Sequence, residues 1–174
     1  MLYDAMPSPV GELTLTATDE GLTGILFDTN RHARPRLDEW TRVAERGTAA
    51  AALVLSAVRA QLDEYFAGTR REFDLPLAPQ GTDFQRRVWH ALVEIPFGRT
   101  TTYIAVARRL GDPAAVRAVG AANGRNPIPI VVPCHRVIGA DGSLVGFGGG
   151  MERKRWLLHH EGALADGGDL FAPG

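Results

Sequence analysis

Cysteine is the residue that this 174-residue sequence most conspicuously lacks, since it occurs only once, at position 134. A single cysteine excludes an internal disulfide and any zinc site built from several cysteines, so a reducing compartment is expected. The sequence also lacks an N-terminal apolar stretch of signal-peptide length and any run long enough to cross a membrane. These scarcities predict a cytoplasmic protein with no membrane partner.

A strong net charge is lacking too, but the even balance conceals two oppositely charged halves. The formal net charge is −1. Residues 81–162 contain eleven basic and six acidic side chains, whereas residues 1–80 contain eight basic and twelve acidic ones. A basic C-terminal half favours a polyanionic partner, although arginines on solvated helix surfaces would give the same count.

The first 75 residues predict a small sheet with one helix packed against it. Apolar residues alternate with threonines from Leu13 to Thr18, which is the period of a half-buried strand, and residues 22–27 predict another strand. Residues 49–67 carry an apolar stripe at helical spacing and are closed by Gly68. No pattern in this first domain indicates chemistry.

The second predicted domain, residues 81–162, is mainly helical, and residues 163–174 are expected to form a disordered tail. Thr82 and Gln85 fit a capping box at the start of its first helix. Two short helices follow, joined by a turn at Gly111, and this arrangement resembles a helix-turn-helix. The expected fold is therefore α/β (α+β), with a small sheet-plus-helix domain before a mainly helical one.

The second of those two short helices, residues 114–123, has an unusual composition for a helix that reads DNA. It consists almost entirely of Ala, Val and Gly, with Arg117 as its one charged side chain. A helix that reads base sequence presents several polar side chains to the base edges. If this helix meets DNA, it therefore does so with little sequence preference. Many paired helices of this kind bind nothing.

Cys134 is the candidate for chemistry. It follows a short apolar run, residues 128–132, whose flanking and internal prolines exclude a place inside a sheet. His135 is adjacent, and a glycine-rich loop, residues 146–150, lies downstream. A lone cysteine is more often a small buried hydrophobe, but this setting favours a nucleophile. Glu161 ends the last predicted helix at the unfavourable end of its dipole, which favours a specific partner.

These patterns together resemble the O6-alkylguanine-DNA alkyltransferase family, the methylated-DNA–protein-cysteine methyltransferases, over about residues 1–162. The Pro-Cys-His-Arg core with its flanks is a very specific signal. The matching segments are Ile130-Val-Val-Pro-Cys-His-Arg-Val137, Gly81-Thr-Asp-Phe-Gln-Arg-Arg-Val-Trp89, Ala115-Val-Arg-Ala-Val-Gly120, Asn126-Pro127, Arg153-Lys-Arg-Trp-Leu-Leu-His-His-Glu-Gly162 and Ser8-Pro-Val-Gly-Glu-Leu-Thr-Leu15.

The resemblance implies DNA repair by direct, single-turnover transfer of an alkyl group from O6-alkylguanine, and from O4-alkylthymine, to Cys134. It assigns His135 as the base, acting through a water, and Glu161 as the carboxylate that orients the imidazole. It makes Asn126 a hinge that bonds backbone near the active turn, and it makes Tyr103 a hydrogen-bond donor to guanine N3. Each molecule would repair one lesion.

The same resemblance assigns the residues that face DNA and the base. The small-residue helix would enter the minor groove of double-stranded DNA, and Arg117 would fill the gap left by the flipped nucleotide. Backbone groups of Cys134 and Val137 would bind the base edge, and the amide of Gly148 would reach O6. Phe147 stands where the family usually has tyrosine. The expected DNA-binding residues are Tyr103, Arg117, Ala118, Ala121 and Arg125, and the expected pocket residues are Val137, Phe147, Gly148 and Met151.

No cofactor and no metal are implied, and a monomer is expected in the absence of DNA. Two other classes of protein stay open at this stage. A Cys-His-Glu hydrolase would use the same three side chains but would turn over repeatedly. A non-catalytic module that only recognises lesions is the second class, and the presence of Cys134 argues against it.

Overall fold

The computed structural model describes residues 1–29, 40–42 and 50–164. The chain divides into two compact units between Gln80 and Gly81, and each unit buries its own apolar core. The predicted tail lies outside the described residues from position 165 onward. Within the described ranges, no helix is both long enough and apolar enough to cross a membrane.

The first unit is a four-stranded sheet with one helix against it, as the sequence predicts. The strand order is β3-β2-β1-β4, in which β1, β2 and β3 pair antiparallel and β4 runs parallel to β1. The alternating pattern of β2 points Leu13, Leu15 and Ala17 into the core, all fully buried. The elements are β1 (Leu2–Met6), β2 (Leu13–Thr18), β3 (Gly21–Phe27), β4 (Thr41–Arg42) and α1 (Ala50–Phe66).

The second unit is mainly helical, which confirms the predicted fold class. The capping box is present at its first helix, since Thr82 Oγ1 accepts from Gln85 N at 3.2 Å and Gln85 Oε1 accepts from Thr82 N at 2.9 Å. The elements are α2 (Asp83–Val93), β5 (Thr101–Thr102), α3 (Tyr103–Arg109), a 3-10 turn (Pro113–Ala115), α4 (Val116–Gly124), a second 3-10 turn (Cys134–Arg136), β6 (Val137–Ile138) and α5 (Met151–His160).

Helix α4 is fixed to α2 by a buried tryptophan. The indole Nε1 of Trp89 donates to Ala122 O on α4 at 2.8 Å, so the ring is both packed and hydrogen-bonded. Gly81 lies directly against that ring, because a Cβ at this position would be 2.4 Å from it. Trp89 of α2 is therefore core, and it packs against the buried side of α4.

A short parallel strand pair brings α3 to the segment that contains Cys134. Thr101 of β5 pairs with Val137 of β6, and Thr102 pairs with Ile138. Because α3 begins at the very next residue, this pairing places Tyr103 beside the chain that leaves the cysteine turn. The strands are only two residues long, so they serve to set the position of these two segments.

Candidate active site

The turn that precedes Cys134 is buried and strained. Ile128, Ile130 and Val132 are at most 2% exposed, and Val132 N donates to Ile128 O at 2.9 Å. Ile130 has φ +74°, a left-handed conformation that a β-branched residue rarely adopts and that costs about 1–3 kcal/mol. Such a conformation persists only where the surrounding structure holds it.

Asn126 supplies that restraint. Its Nδ2 donates to Val132 O at 2.8 Å, and its Oδ1 accepts from Ile128 N at 3.0 Å, so one side chain closes both ends of the strained turn. Immediately after the turn, Cys134 N donates to Val132 O at 2.8 Å. The backbone of the cysteine is therefore set by a clamp that begins at Asn126.

The Cys134 thiol is enclosed, and its proton is held tightly in the free protein. The residue is 3% exposed. Burial raises the pKa of Cys134 to about 11, against the lowering effects of a hydrogen bond from Asn126 and of the charge on Lys154. Because the thiolate is the nucleophile, a thiol in this setting reacts only if a neighbouring base takes its proton.

His135, Glu161 and Arg136 form a buried hydrogen-bonded group directly after the cysteine. His135 Nε2 lies 2.7 Å from Glu161 Oε1, while Arg136 binds both carboxylate oxygens, with Nε and Nη2 each at 2.9 Å. Arg136 Nη1 also donates to Ile95 O at 2.6 Å. Burial raises the pKa of Glu161, but the hydrogen bonds from His135 and Arg136 outweigh it and hold that pKa well below its usual range. The carboxyl group is therefore ionised.

The ionised carboxylate fixes which nitrogen of His135 can act as a base. A carboxylate only accepts hydrogen bonds, so Nε2 must carry the ring proton that points at Glu161, and Nδ1 keeps its lone pair. Among the described residues, Nδ1 is buried and has no hydrogen-bond partner. Burial lowers the pKa of His135, which Glu161 only partly offsets. The imidazole is thus neutral near pH 7 and presents a free acceptor nitrogen.

Tyr103 reaches the loop that follows β6. Its hydroxyl donates to Val145 O at 2.5 Å, and burial, followed by the Cys134 charge, raises the pKa of Tyr103 to about 12. Gly146 is required here, since it has φ +74° and a Cβ would lie 2.9 Å from the tyrosine oxygen. A phenol with so high a pKa donates a hydrogen bond well but gives up its proton reluctantly.

Lys154 of α5 is a site residue that the sequence reasoning missed. It is fully buried, and its Nζ donates to Val137 O at 2.6 Å and to Val145 O at 2.8 Å. Burial lowers the pKa of Lys154 to about 8, and the Cys134 charge acts in the opposite direction. A signal for it existed, because Lys154 lies on the helix face that contains Leu157 and Leu158 rather than on the exposed face.

Replacing Lys154 by methionine should make the Cys134 thiol less reactive. An opposite charge near a titrating group shifts its pKa by roughly 1–3 units, so loss of the ammonium should reduce the thiolate population, and the iodoacetamide labelling rate, by about tenfold or more. Labelling rates measured across pH check the effect. Lys154→Arg keeps the charge, and a variant that melts like the parent should label within about threefold of it. Equal labelling of Lys154→Met and the parent would contradict the electrostatic role.

Four of the five residues expected to face DNA share one exposed face at α4, whereas the fifth, Tyr103, begins α3 and is half-buried. Arg117, Ala118, Ala121 and Arg125 are all exposed, whereas Val119 on the opposite face is fully buried. The exposed face is thus smooth along the helix, with an arginine at each end. A smooth face of small side chains allows close approach to a groove, and the arginines suit phosphate or base contacts.

Two of the four expected pocket residues are buried and two are exposed. Val137 and Phe147 are buried, while Gly148 and Met151 are exposed, Met151 by 39%. A Cβ at Gly148 would lie 3.5 Å from Gly124 O, so the glycine loop runs close to the end of α4. In the described part of the chain, no group of three or more His, Cys, Asp or Glu side chains is placed to hold a metal ion.

Comparison with known proteins identifies relatives over nearly the whole chain. The family description "6-O-methylguanine DNA methyltransferase, DNA binding domain" matches residues 83–163, and "6-O-methylguanine DNA methyltransferase, ribonuclease-like domain" matches residues 1–79. The methylated-DNA–protein-cysteine methyltransferase of Methanosarcina acetivorans is 45% identical, covering 94% of this chain and 99% of that protein. The Mycobacterium tuberculosis protein of the same name is 47% identical, covering 94% and 93%.

A solved structure gives the same result for the fold. The crystal structure of Mycobacterium tuberculosis OGT in complex with DNA superimposes with a TM-score of 0.80 at 45% identity, covering 94% of each chain. The similarity in structure thus extends over both units of the fold and includes a relative that was crystallised with DNA.

Proposed function

This chain belongs to the 6-O-methylguanine DNA methyltransferase family, and we propose that Cys134 is the residue that takes the alkyl group from damaged DNA. The protein repairs DNA by transferring an alkyl group from O6-alkylguanine to its own cysteine. Since the sequence contains a single cysteine, Cys134 is the only thiol available as acceptor. The observation that carries the assignment is the buried His135 Nδ1, whose lone pair is kept free by the bond between Nε2 and Glu161.

The proposed reaction begins with removal of the thiol proton. His135 Nδ1 accepts that proton, through a water if the two side chains are not in direct contact, and the resulting imidazolium is stabilised by Glu161. The sulfur of Cys134 then attacks the alkyl carbon, the S–C bond forms and the C–O6 bond breaks. The electron pair of the broken bond goes to the guanine, which leaves as an anion.

Stabilisation of the leaving guanine is assigned to Tyr103 and to the glycine loop. The Tyr103 hydroxyl would move its hydrogen bond from Val145 O to guanine N3, and its high pKa favours donation of a hydrogen bond over loss of the proton. The amide of Gly148, a residue that is exposed, would contact O6. The guanine finally takes a proton in place of the alkyl group, so the thiol proton and the alkyl group have exchanged places overall.

DNA is the partner of the second unit, and its proposed mode of binding follows from the exposed face of α4. The damaged atom lies inside the duplex, so the nucleotide must be flipped out to reach Cys134, which is 3% exposed. The smooth face at Ala118 and Ala121 is proposed to enter the minor groove, where it reads no sequence. A monomer suffices for this geometry, and a cytoplasmic location would keep its only cysteine reduced.

The count of transferred groups tests the proposed function. Wild-type protein is incubated with excess duplex DNA containing O6-methylguanine, and the intact protein is then weighed. One added methyl group per molecule, located on Cys134, is the expected result. Release of methanol with repeated turnover would instead identify a hydrolase, and binding without any mass change would identify a recognition module.

Arg117→Ala should impair repair of duplex DNA much more than reaction with a free O6-alkylated guanine base. Only the duplex requires base flipping, which costs a few kcal/mol, so losing the side chain that fills the gap should slow duplex repair by about tenfold to a hundredfold. Single-turnover rates on both substrates measure the difference. Arg155→Ala removes another exposed arginine and serves as the matched control. Equal losses on duplex and free base would mean that Arg117 supports the fold.

A further inference from the structure

Asn123 on α4 is a buried amide with an unused acceptor. The residue is 1% exposed, and its Nδ2 lies 3.4 Å from both Cys134 O and Gly146 O. Among the described residues, its Oδ1 is buried and has no hydrogen-bond partner. Carbonyl oxygens only accept hydrogen bonds, so the amide atom that faces Cys134 O and Gly146 O must be the nitrogen. The side-chain oxygen is therefore the atom without a partner.

Fold stability does not explain an asparagine at this position. Both of its donated hydrogen bonds are at the long limit of such contacts, and a buried acceptor without a partner is destabilising. A leucine has the same number of side-chain heavy atoms and would place no unsatisfied acceptor on this buried face beside Val119 and Ala122. A buried polar atom that the fold leaves unsatisfied is best explained by a partner that arrives with the substrate.

The position of the amide places that partner at the reacting centre. Asn123 lies between the carbonyl of the nucleophile itself and the carbonyl of Gly146 in the glycine loop. Gly124, the next residue, has its carbonyl oxygen close to Gly148 of the same loop. A base that reaches the Cys134 sulfur therefore enters between the cysteine turn and this loop, beside the Asn123 side chain.

Of the two lesions expected as substrates, only O6-alkylguanine can supply the missing donor. Alkylation at O6 leaves N1 of guanine without a hydrogen, and N3 and N7 are acceptors too. The exocyclic N2 amine is therefore the only N–H donor on the base. O4-alkylthymine has no N–H donor at all, because its N3 has likewise lost its hydrogen. An acceptor in the pocket thus distinguishes the two lesions by their chemistry.

We propose that Asn123 Oδ1 accepts a hydrogen bond from the N2 amine of the flipped base and so selects alkylated guanine over alkylated thymine. The amine has two hydrogens, so it can bind Asn123 Oδ1 and the Cys134 carbonyl together. This assignment rests on the proposed function of the site and adds to it a determinant of which base is repaired. Asn123 determines which alkylated base is preferred, while Cys134 accepts the alkyl group and His135 accepts the thiol proton.

The test compares three duplexes that differ only in the damaged base. They contain O6-methylguanine, O6-methylhypoxanthine, which lacks the N2 amine, and O4-methylthymine. In single-turnover assays of Asn123→Leu, the rate constant on O6-methylguanine should fall by about tenfold, whereas those on the other two should change by less than about threefold. The parent protein should prefer O6-methylguanine over O6-methylhypoxanthine by a similar factor.

Thermal unfolding separates this role from a structural one. Asn123→Leu should melt close to the parent temperature, since removal of the unsatisfied acceptor offsets the loss of two long hydrogen bonds from Nδ2. Val119→Ala, on the same buried face, should lower the melting temperature and slow all three substrates alike. A uniform loss on all three bases in Asn123→Leu, or an unchanged preference for guanine, overturns the proposal. Methyl transfer by the parent protein is measured in the same assay, so failure of the proposed function would be recognised separately.

Discussion

A Cys134→Ala protein should bind duplex DNA that contains O6-methylguanine and yet gain no methyl group at any reaction time. Cys134 is the only thiol in the chain, and the displacement requires a thiolate. Alanine removes only the sulfur of a side chain that is 3% exposed, so the fold and the exposed face of α4 should persist. Intact-mass measurement checks for the methyl group, and fluorescence anisotropy checks for DNA binding.

Two controls accompany the alanine variant. Cys134→Ser keeps a group of similar size but has a hydroxyl in place of the thiol, so it should also transfer nothing. Wild-type protein should gain one methyl group and then stop, because no second thiol is present to take the group from Cys134. A methyl group on another side chain of the alanine variant would contradict the assignment, provided that the variant melts like the parent protein.

Local sequence patterns predicted most of the elements that build the two units. The capping box at Thr82 and Gln85 was readable because both of its hydrogen bonds lie within four residues. The alternation in β2 was readable for the same reason, although Thr16 is buried as well and pairs with Thr23 at 2.8 Å. Where a short pattern contains both partners of a contact, the sequence alone is sufficient.

Helical spacing with Leu157 and Leu158 puts Lys154 on the buried face of α5, but the partners of its charge there were not predictable from local patterns. Its charge places it with Arg153 and Arg155 in a basic stretch of α5, and a lysine is almost never fully buried. It is buried because the carbonyls of Val137 and Val145, seventeen and nine residues away, provide acceptors inside the unit. These acceptors exist only once the loop has folded, so no local rule contains them.

The strained turn before Cys134 was also beyond the sequence pattern. Three prolines and an apolar run predicted a buried, non-sheet segment, and that much is observed. The left-handed conformation of Ile130 was not predicted, since a β-branched residue disfavours it locally. The clamp by Asn126 overrides that preference, and the resemblance to a known family, rather than composition, was what indicated a hinge there.

Glu161→Gln should lower the rate constant of methyl transfer by about 10²–10⁴-fold, which is the usual contribution of a positioned base. A carboxylate only accepts hydrogen bonds, so it keeps the ring proton of His135 on Nε2. A glutamine can donate to Nε2 instead, which moves the proton to Nδ1 and removes the acceptor for the thiol proton. It also lacks the charge that stabilises the imidazolium. Single-turnover rates on O6-methylguanine DNA measure the loss.

The same substitution leaves Arg136 buried without a counter-charge, so its effect on stability needs a control. The Arg136 side chain is 6% exposed, and removing one partner of a buried ion pair costs about 3–5 kcal/mol. In the double variant Arg136→Leu with Glu161→Gln both charges are gone. We expect it to regain most of the free energy of unfolding and none of the rate. A recovered rate would mean that Glu161 acts on stability alone.

The pH dependence of Glu161→Gln gives the final test of its coupling to His135. Burial keeps the pKa of His135 below its ordinary 6.5, and Glu161 offsets part of this lowering. The wild-type rate should therefore fall as the pH drops below 6.5. Without the Glu161 charge the pKa of His135 should be lower still, so the fall should begin at lower pH in the variant.

Stability should depend on pH through the same two groups. The folded-state pKa values of His135 and Glu161 are both lowered, so the unfolded chain takes up protons first as the pH drops. The free energy of unfolding should therefore decrease below pH 6.5, and again below 4.5 in the wild type only. Rates and urea denaturation are measured at each pH. Rate profiles that fall at the same pH in both proteins would show that Glu161 does not tune the base.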